Sequence, residues 1–230
     1  MPVAIITGAS RGFGRALAID LAKDGWSLVI DGRRMGPLEE IDGVLRSLGA
    51  LVRSVSGDVT DPDHRVEIVN AAESLGGVDL LVNNASSLGP SPLPTLDHYP
   101  LEALRGVYEV NVIAPLALLQ LALPALRRSK GKVVSMSSDA AVEAYEGWGG
   151  YGSSKAALDQ LHSVFANEQP DLRVYQFDPG DMRTEMHQDA FPGEDISDRP
   201  EPESVVPVLR RLLASNRPSG RYLASQWRQS

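Results

Sequence analysis

The 230-residue chain contains no cysteine, so disulfides and thiolate zinc sites are excluded at the outset. Basic residues are in deficit, 22 Lys and Arg against 30 Asp and Glu for a net charge of -8. That balance argues against a nucleic-acid surface while leaving room for a local basic pocket. The longest apolar run, residues 116–126 (LALLQLALPAL), is shorter than a bilayer span and holds Gln120 and Pro124. The first ten residues, MPVAIITGAS, lack the basic region and long apolar segment of a secretory signal. No His, Asp and Glu cluster has a metal-ligand spacing. These absences lead to the expectation of a cytoplasmic protein acting on small molecules, without metal, nucleic acid or membrane.

What is present has a globular balance, 43% apolar and 23% charged residues. The length suits one α/β domain over residues 1–230 and is too short for two typical domains and a linker. Runs of β-formers recur at residues 3–6, 26–30, 51–55, 80–82, 133–136 and 174–177, with a further short one at 222–224. Helical periods lie between them: Leu17, Leu21 and Ala22 share one face, and Leu38, Ile41, Leu45 and Leu48 another. Asp61-Pro62 reads as a helix start, followed by Val66 and Val69 on one face. Residues 101–128 read as a bent, well-buried helix interrupted by Pro115 and Pro124. Alternation of strand and helix predicts a mostly parallel sheet covered on both sides. One segment, residues 191–202 (FPGEDISDRPEP), is loop-like in composition, and a loop that long is usually functional or mobile.

Directly after the first strand comes Thr7-Gly8-Ala9-Ser10-Arg11-Gly12-Phe13-Gly14. Glycines let a backbone turn tightly beside a ligand, and the helix that opens here aims amide N–H groups at a pyrophosphate. The spacing is GxxxGxG, not GxGxxG, and three glycines alone also fit an ordinary strand-to-helix turn. Further on, Tyr151 and Lys155 stand four residues apart, one turn along a helix face. A phenol in water titrates near 10, and an adjacent ammonium is expected to favour its ionised form. Such a pair can donate a proton to a carbonyl oxygen or accept one from an alcohol. On their own such pairs also arise by chance on solvated helices.

The motifs taken together resemble the short-chain dehydrogenase/reductase family, in its compact single-domain branch. They are TGASRGFG at 7–14, Asp58-Val59, Asn83-Asn84-Ala85, Asn111, Ser137-Ser138, YGSSK at 151–155 and Pro179-Gly180, and they span nearly the whole chain. The resemblance implies a doubly wound, seven-stranded Rossmann sheet and an NAD(P)-dependent oxidoreductase that interconverts a carbonyl compound and an alcohol. It implies that Ser138, in preference to Ser137, binds the substrate carbonyl. Asn111 would hold a water in a relay to Lys155, and Lys155 would also bind the nicotinamide ribose.

By the same resemblance, Gly8, Ser10, Arg11, Gly12, Phe13 and Gly14 would contact the coenzyme phosphates, and Asp58 and Val59 its adenine. Asn84 and Ala85 would line its cleft, while Pro179, Gly180 and Thr184 would cover its nicotinamide end. Ser86 stands where the family usually has glycine, a departure expected to crowd that turn. The selecting position for the coenzyme falls on Gly32, followed by Arg33, and with Arg11 nearby NADP(H) is favoured. Asp31, one residue earlier, would serve NAD(H) after a small register shift.

Residues 185–201 are expected to form a substrate flap, with Met186, His187 and Phe191 available to line it and no basic clamp for an anion. The stretch 168–186 is also similar to the sepiapterin or benzil reductase subgroup. A homodimer or homotetramer is implied. The other functional classes are an NAD-linked alcohol dehydrogenase, a dinucleotide-sensing protein without catalysis, and a structural subunit that activates a related enzyme.

Overall fold

Apolar runs alternate with amphipathic periods throughout the chain, and the strands pair in parallel because each connection crosses back over the sheet as a helix. The computed structural model describes residues 1–227, so the last three residues of the expected 1–230 domain lie outside it. The first half runs β1 (Val3–Ile6), α1 (Gly12–Lys23), β2 (Ser27–Gly32), α2 (Met35–Ser47), β3 (Val52–Ser56), α3 (Pro62–Leu75) and β4 (Leu80–Asn83). The second half runs α4 (Leu101–Tyr108), α5 (Ala114–Ser129), β5 (Lys132–Met136), α6 (Gly149–Glu168), β6 (Arg173–Asp178), α7 (Glu185–Ala190), α8 (Pro202–Ala214) and β7 (Gly220–Leu223).

The seven strands lie in the order β3-β2-β1-β4-β5-β6-β7 and every neighbouring pair is parallel. The chain winds outward from β1 to β3, then returns to lay β4 against the other side of β1. That reversal opens a crevice at the carboxyl ends of the strands, which positions the site. Successive strand residues face opposite layers. Ala4 and Ile6 join Leu17, Leu21, Leu38 and Leu209 on one side, whereas Val3 and Ile5 join Ile68, Leu118, Leu119 and Phe165 on the other. Each leucine buried this completely contributes about 1.5–3 kcal/mol.

Local differences from the sequence expectation have physical causes. β2 extends to Asp31 and Gly32 because both stay in register with β3, opposite Val55 and Ser56. Asp61 caps α3 by accepting the Asp63 amide at 2.9 Å, with Pro62 at the first turn. The phase set by that cap buries His64, Arg65, Ile68 and Ala72 and leaves Val66 exposed.

The long helical span from 101 to 129 is broken neither at Pro115 nor at Pro124. Its irregularity is a π-helical turn at Glu109–Ile113, between α4 and α5. Pro115 follows that turn directly, so the helical bond its missing N–H cannot make falls at the π-helical turn and not in a regular stretch of helix. This span is apolar and long enough to cross a membrane by length and composition, and half of its most apolar window is buried inside the fold.

Candidate active site

A cleft of about 860 Å³ opens over the carboxyl ends of β1, β2, β4 and β5, lined on one side by the glycine loop and on the other by Tyr151, Lys155 and Met186. Gly8 and Gly14 let the loop lie against β4. An added Cβ at Gly8, which has φ +63°, would fall 2.9 Å from the Ala85 main chain, and one at Gly14 would fall 2.5 Å from Asn84 Nδ2. Asn84 fastens this contact by donating to the carbonyls of Thr7 at 2.8 Å and Gly8 at 3.1 Å. The first turn of α1 has no acidic residue and no side-chain cap, so its amides are free to meet an anion.

Of the coenzyme residues expected from sequence, Gly8, Ser10, Arg11, Gly12, Phe13, Arg33, Asp58, Val59, Asn84, Ala85, Pro179 and Thr184 line this cleft. Gly14 and Gly180 do not; they shape the turns beneath it. Gly180 donates its amide to Asp178 at 2.9 Å, and Thr184 caps α7 by accepting the His187 amide at 3.2 Å.

Asp31 is turned inward. Its Oδ1 accepts the Gly8 amide at 2.6 Å and its Oδ2 lies 3.0 Å from His64 Nε2, leaving Arg33 and Arg34 on the outer lip with Arg11. There Glu185 of α7 pairs with Arg11 and stands 3.6 Å from Arg34. Burial and the two neighbouring arginines hold the Arg11 guanidinium below its ordinary value.

Residues 2–195 match the family described as short chain dehydrogenase. The chain belongs to the short-chain dehydrogenase/reductase family. It is 33% identical over 199 residues to sepiapterin reductase of Rattus norvegicus, covering 81% of this chain and 76% of that one. Among solved structures it is similar to the alcohol dehydrogenase of Thermococcus sibiricus complexed with 5-hydroxy-NADP, with TM-score 0.87 and 30% identity over 97% of this chain and 95% of that one. It is also similar to a short-chain dehydrogenase of Shigella flexneri complexed with NADP, with TM-score 0.89 and 27% identity over 97% of each chain. This short-chain dehydrogenase/reductase is thus an oxidoreductase of a family that binds NAD(P). The open helix N-terminus, the glycine loop and the size of the cleft fit such a dinucleotide.

The residues expected from the sequence to do acid/base work, Tyr151 and Lys155, sit at the start of α6, beside the end of β5. Lys155 is buried and donates Nζ to the Met136 carbonyl at 2.8 Å, with that nitrogen 5.5 Å from the Tyr151 ring centre. Burial brings the lysine down to about 8. The expected lowering of Tyr151 by its lysine neighbour is overturned. Burial and the Asp178 carboxylate push the phenol well above its ordinary value, and the Ser86 and Ser138 hydroxyls offset only part of this. Desolvation of a phenolate is the largest of these effects, and the Lys155 ammonium is itself committed to a main-chain carbonyl.

Ser138 stands at the edge of this group, half-buried, with Oγ accepting the Ala140 amide at 3.2 Å and donating to Asp139 at 3.0 Å. Ser137 lines the cleft, which Ser138 does not, and its hydroxyl donates to Asp159 at 2.6 Å.

Asn111 is fully buried in the π-helical turn, behind the cleft wall. Its Nδ2 donates to the Ser87 carbonyl and to Ser154 Oγ, both at 2.9 Å. Its Oδ1 accepts the Ser87 amide at 2.7 Å and the Ser86 hydroxyl at 3.1 Å. With every donor and acceptor of the amide occupied, the side chain clamps the loop after β4 onto α6 and has no capacity left to hold a water. Ser86, expected to crowd its turn, is one of the clamped groups.

Sequence reasoning also missed Trp148, which packs edge-on against Tyr151 at 5.7 Å and against Phe191 at 5.9 Å. Phe191 in turn lies 4.9 Å from His187, so these two flap residues form a wall that continues from Tyr151. The basic residues Arg183 and Arg199 are paired with Glu201, Asp181 and Asp198, in keeping with a flap that offers no anion clamp.

Proposed function

We propose that the protein is an NADP(H)-dependent reductase of neutral ketones or aldehydes, also able to run the alcohol oxidation, with Tyr151 as the proton donor. The observation that carries this reading is one cleft lined by both the glycine loop and the Tyr151–Lys155 pair. Bound coenzyme supplies the hydride. The chain supplies position and a proton: the Tyr151 hydroxyl gives its proton to the carbonyl oxygen, and the Ser138 hydroxyl, released from Asp139, donates a second hydrogen bond to the same oxygen. A phenol held in its neutral form is the correct state for reduction. Lys155, bound to Met136 and near half-charged at pH 8, is placed to carry the proton that replenishes Tyr151.

NADP(H) is favoured because Arg11, Arg33 and Arg34 gather at the lip after β2, while both oxygens of Asp31 are engaged under the loop. Cytoplasmic location and a homodimer or homotetramer complete the proposal. Exposed Ile113 and Leu121 around α5 and Val164 on α6 support self-association through those helices.

The test is Tyr151→Phe. It should bind NADPH as the parent does and lose about 10²–10⁴-fold in turnover of a carbonyl panel. Near-normal turnover would overturn the assignment.

A further inference from the structure

The last strand sends one side chain to the rear of the acid/base centre. Arg221 Nη2 donates to the Ser138 main-chain carbonyl at 2.9 Å and to Asp178 Oδ2 at 2.7 Å. Its Nε lies 3.3 Å from Asp159 Oδ2 and 3.4 Å from Ser137 Oγ. Asp159 and Asp178 are themselves tied in, accepting from Ser137 and from the Gly180 amide. One guanidinium therefore joins the end of β5, the end of β6 and the sheet-facing side of α6, the three elements that carry Ser138, Pro179-Gly180 and Lys155. Its side chain is 23% exposed, and those of Asp159 and Asp178 are 15% and 6% exposed. A planar fork with donors on two sides is the one side chain able to hold these partners at once.

We propose that Arg221 is a positioning residue of the acid/base centre, fixing the main chain at Ser138 and screening Tyr151 from the carboxylates behind it. The proposal rests on the reading of Tyr151 as proton donor. Ser138 caps the short turn 139–141, so an anchored carbonyl determines where its hydroxyl stands.

The groups that face this centre come from every neighbouring element. They are Ser86 after β4, Ser137, Ser138 and Asp139 after β5, Lys155 and Asp159 on α6, and Asp178 on β6. Three carboxylates thus meet two cations, Lys155 and Arg221. Without Arg221 the same carboxylates face Lys155 alone, which makes a phenolate harder to form and an ammonium easier to keep.

The experiment compares the parent with Tyr151→Phe, Arg221→Met and Arg221→Lys. It follows NADPH-driven reduction of benzaldehyde, 1-phenyl-1,2-propanedione and benzil from pH 6 to 11, alongside NADPH titrations and melting curves. Arg221→Met should bind NADPH within about twofold of the parent and lose about tenfold or more in kcat with little change in KM. Its alkaline limb should move up by about half a pH unit or more. Arg221→Lys should bring the limb back, because an ammonium restores charge, but recover only part of the rate, because it lacks the fork.

An unshifted limb in Arg221→Met would overturn the proposal, whether kcat is normal or falls only in step with melting temperature and NADPH affinity. If Tyr151→Phe is inactive and Arg221→Met behaves as the parent, the Arg221 assignment alone fails. If Tyr151→Phe keeps its rate, or the parent reduces none of the panel, the reductase reading fails and this proposal with it.

Discussion

Asp31 and His64 face each other at 3.0 Å beneath the glycine loop, with the second carboxylate oxygen of Asp31 taking the Gly8 amide at 2.6 Å. The acid at the end of β2 is therefore a fastener of the loop. Burial pushes its carboxyl above the usual range, and the hydrogen bonds from His64 and Gly8 oppose that shift. Asp31→Asn should accordingly weaken NADPH and NADH to a similar extent, by about tenfold for one charge-assisted bond. Tryptophan-quenching titrations with both coenzymes decide the matter, and a loss confined to NADH would return the selecting role to Asp31.

The arginines on the outer lip make the opposite prediction. Arg33→Ser or Arg11→Met should weaken NADPH by about tenfold and leave NADH almost unchanged, since only the phosphorylated ribose meets them. Glu185 pairs with Arg11 across the mouth of the cleft, and exposed ion pairs of this kind are worth little. Glu185→Gln should therefore strengthen NADPH by no more than about fivefold. The same titrations repeated at low and high salt read both effects, and the NADPH advantage should shrink as salt rises.

His162 is buried on α6, and burial lowers it to about 4. The Leu158 carbonyl at 2.9 Å can only accept, so the proton sits on Nδ1, and Nε2 takes the Ser135 hydroxyl at 3.0 Å. The unfolded chain protonates this group near 6.5 and the folded chain only near 4. The folded state thus binds fewer protons, and stability is full above about pH 6.5 and falls towards pH 4, by about 3 kcal/mol from this residue. Urea unfolding at pH 7.0 and 4.5 should show that loss in the parent, with a smaller pH dependence in His162→Gln. Equal losses in the two proteins would refute the assignment.

Much of this architecture was legible in the chain. Strand positions follow from apolar runs with turn signals between them, and Asp61-Pro62 marks a helix start by a cap that the structure contains. Tyr151 and Lys155 stand out as candidates through a local spacing read together with the other motifs, and the structure sets both on the cleft. Arg221 does not: it lies 66 residues beyond Lys155, and only the pairing of β7 with β6 brings it to Ser138. The inward turn of Asp31 depends on which neighbours a strand residue meets: the motif register leaves Asp31 one residue short of the selecting position, but does not tell that Gly8 and His64 engage its two oxygens.

The ionisation of Tyr151 is not legible in local spacing for a similar reason. Helical spacing puts Lys155 beside it, but the side chains that bear on the phenol are Asp178 on β6, Ser86 after β4 and Ser138 and Asp139 after β5. Trp148 and Phe191 are 43 residues apart, and nothing in either neighbourhood announces their contact.

The π-helical turn around Asn111 sets the rotational phase of everything that follows it. One residue more than an α-helical turn advances the helix by about 100°. Deleting a single residue from 109–113 would let the span run on as a straight helix, but its two ends would no longer suit the same neighbours. If Val107 stayed packed, then Leu118, Leu119 and Ala122 would rotate off the sheet; if those stayed, α4 would lose its seat. The irregular turn therefore works as a gear offset, holding a polar amide at the back wall of the cleft while an apolar helix on either side keeps its own mesh.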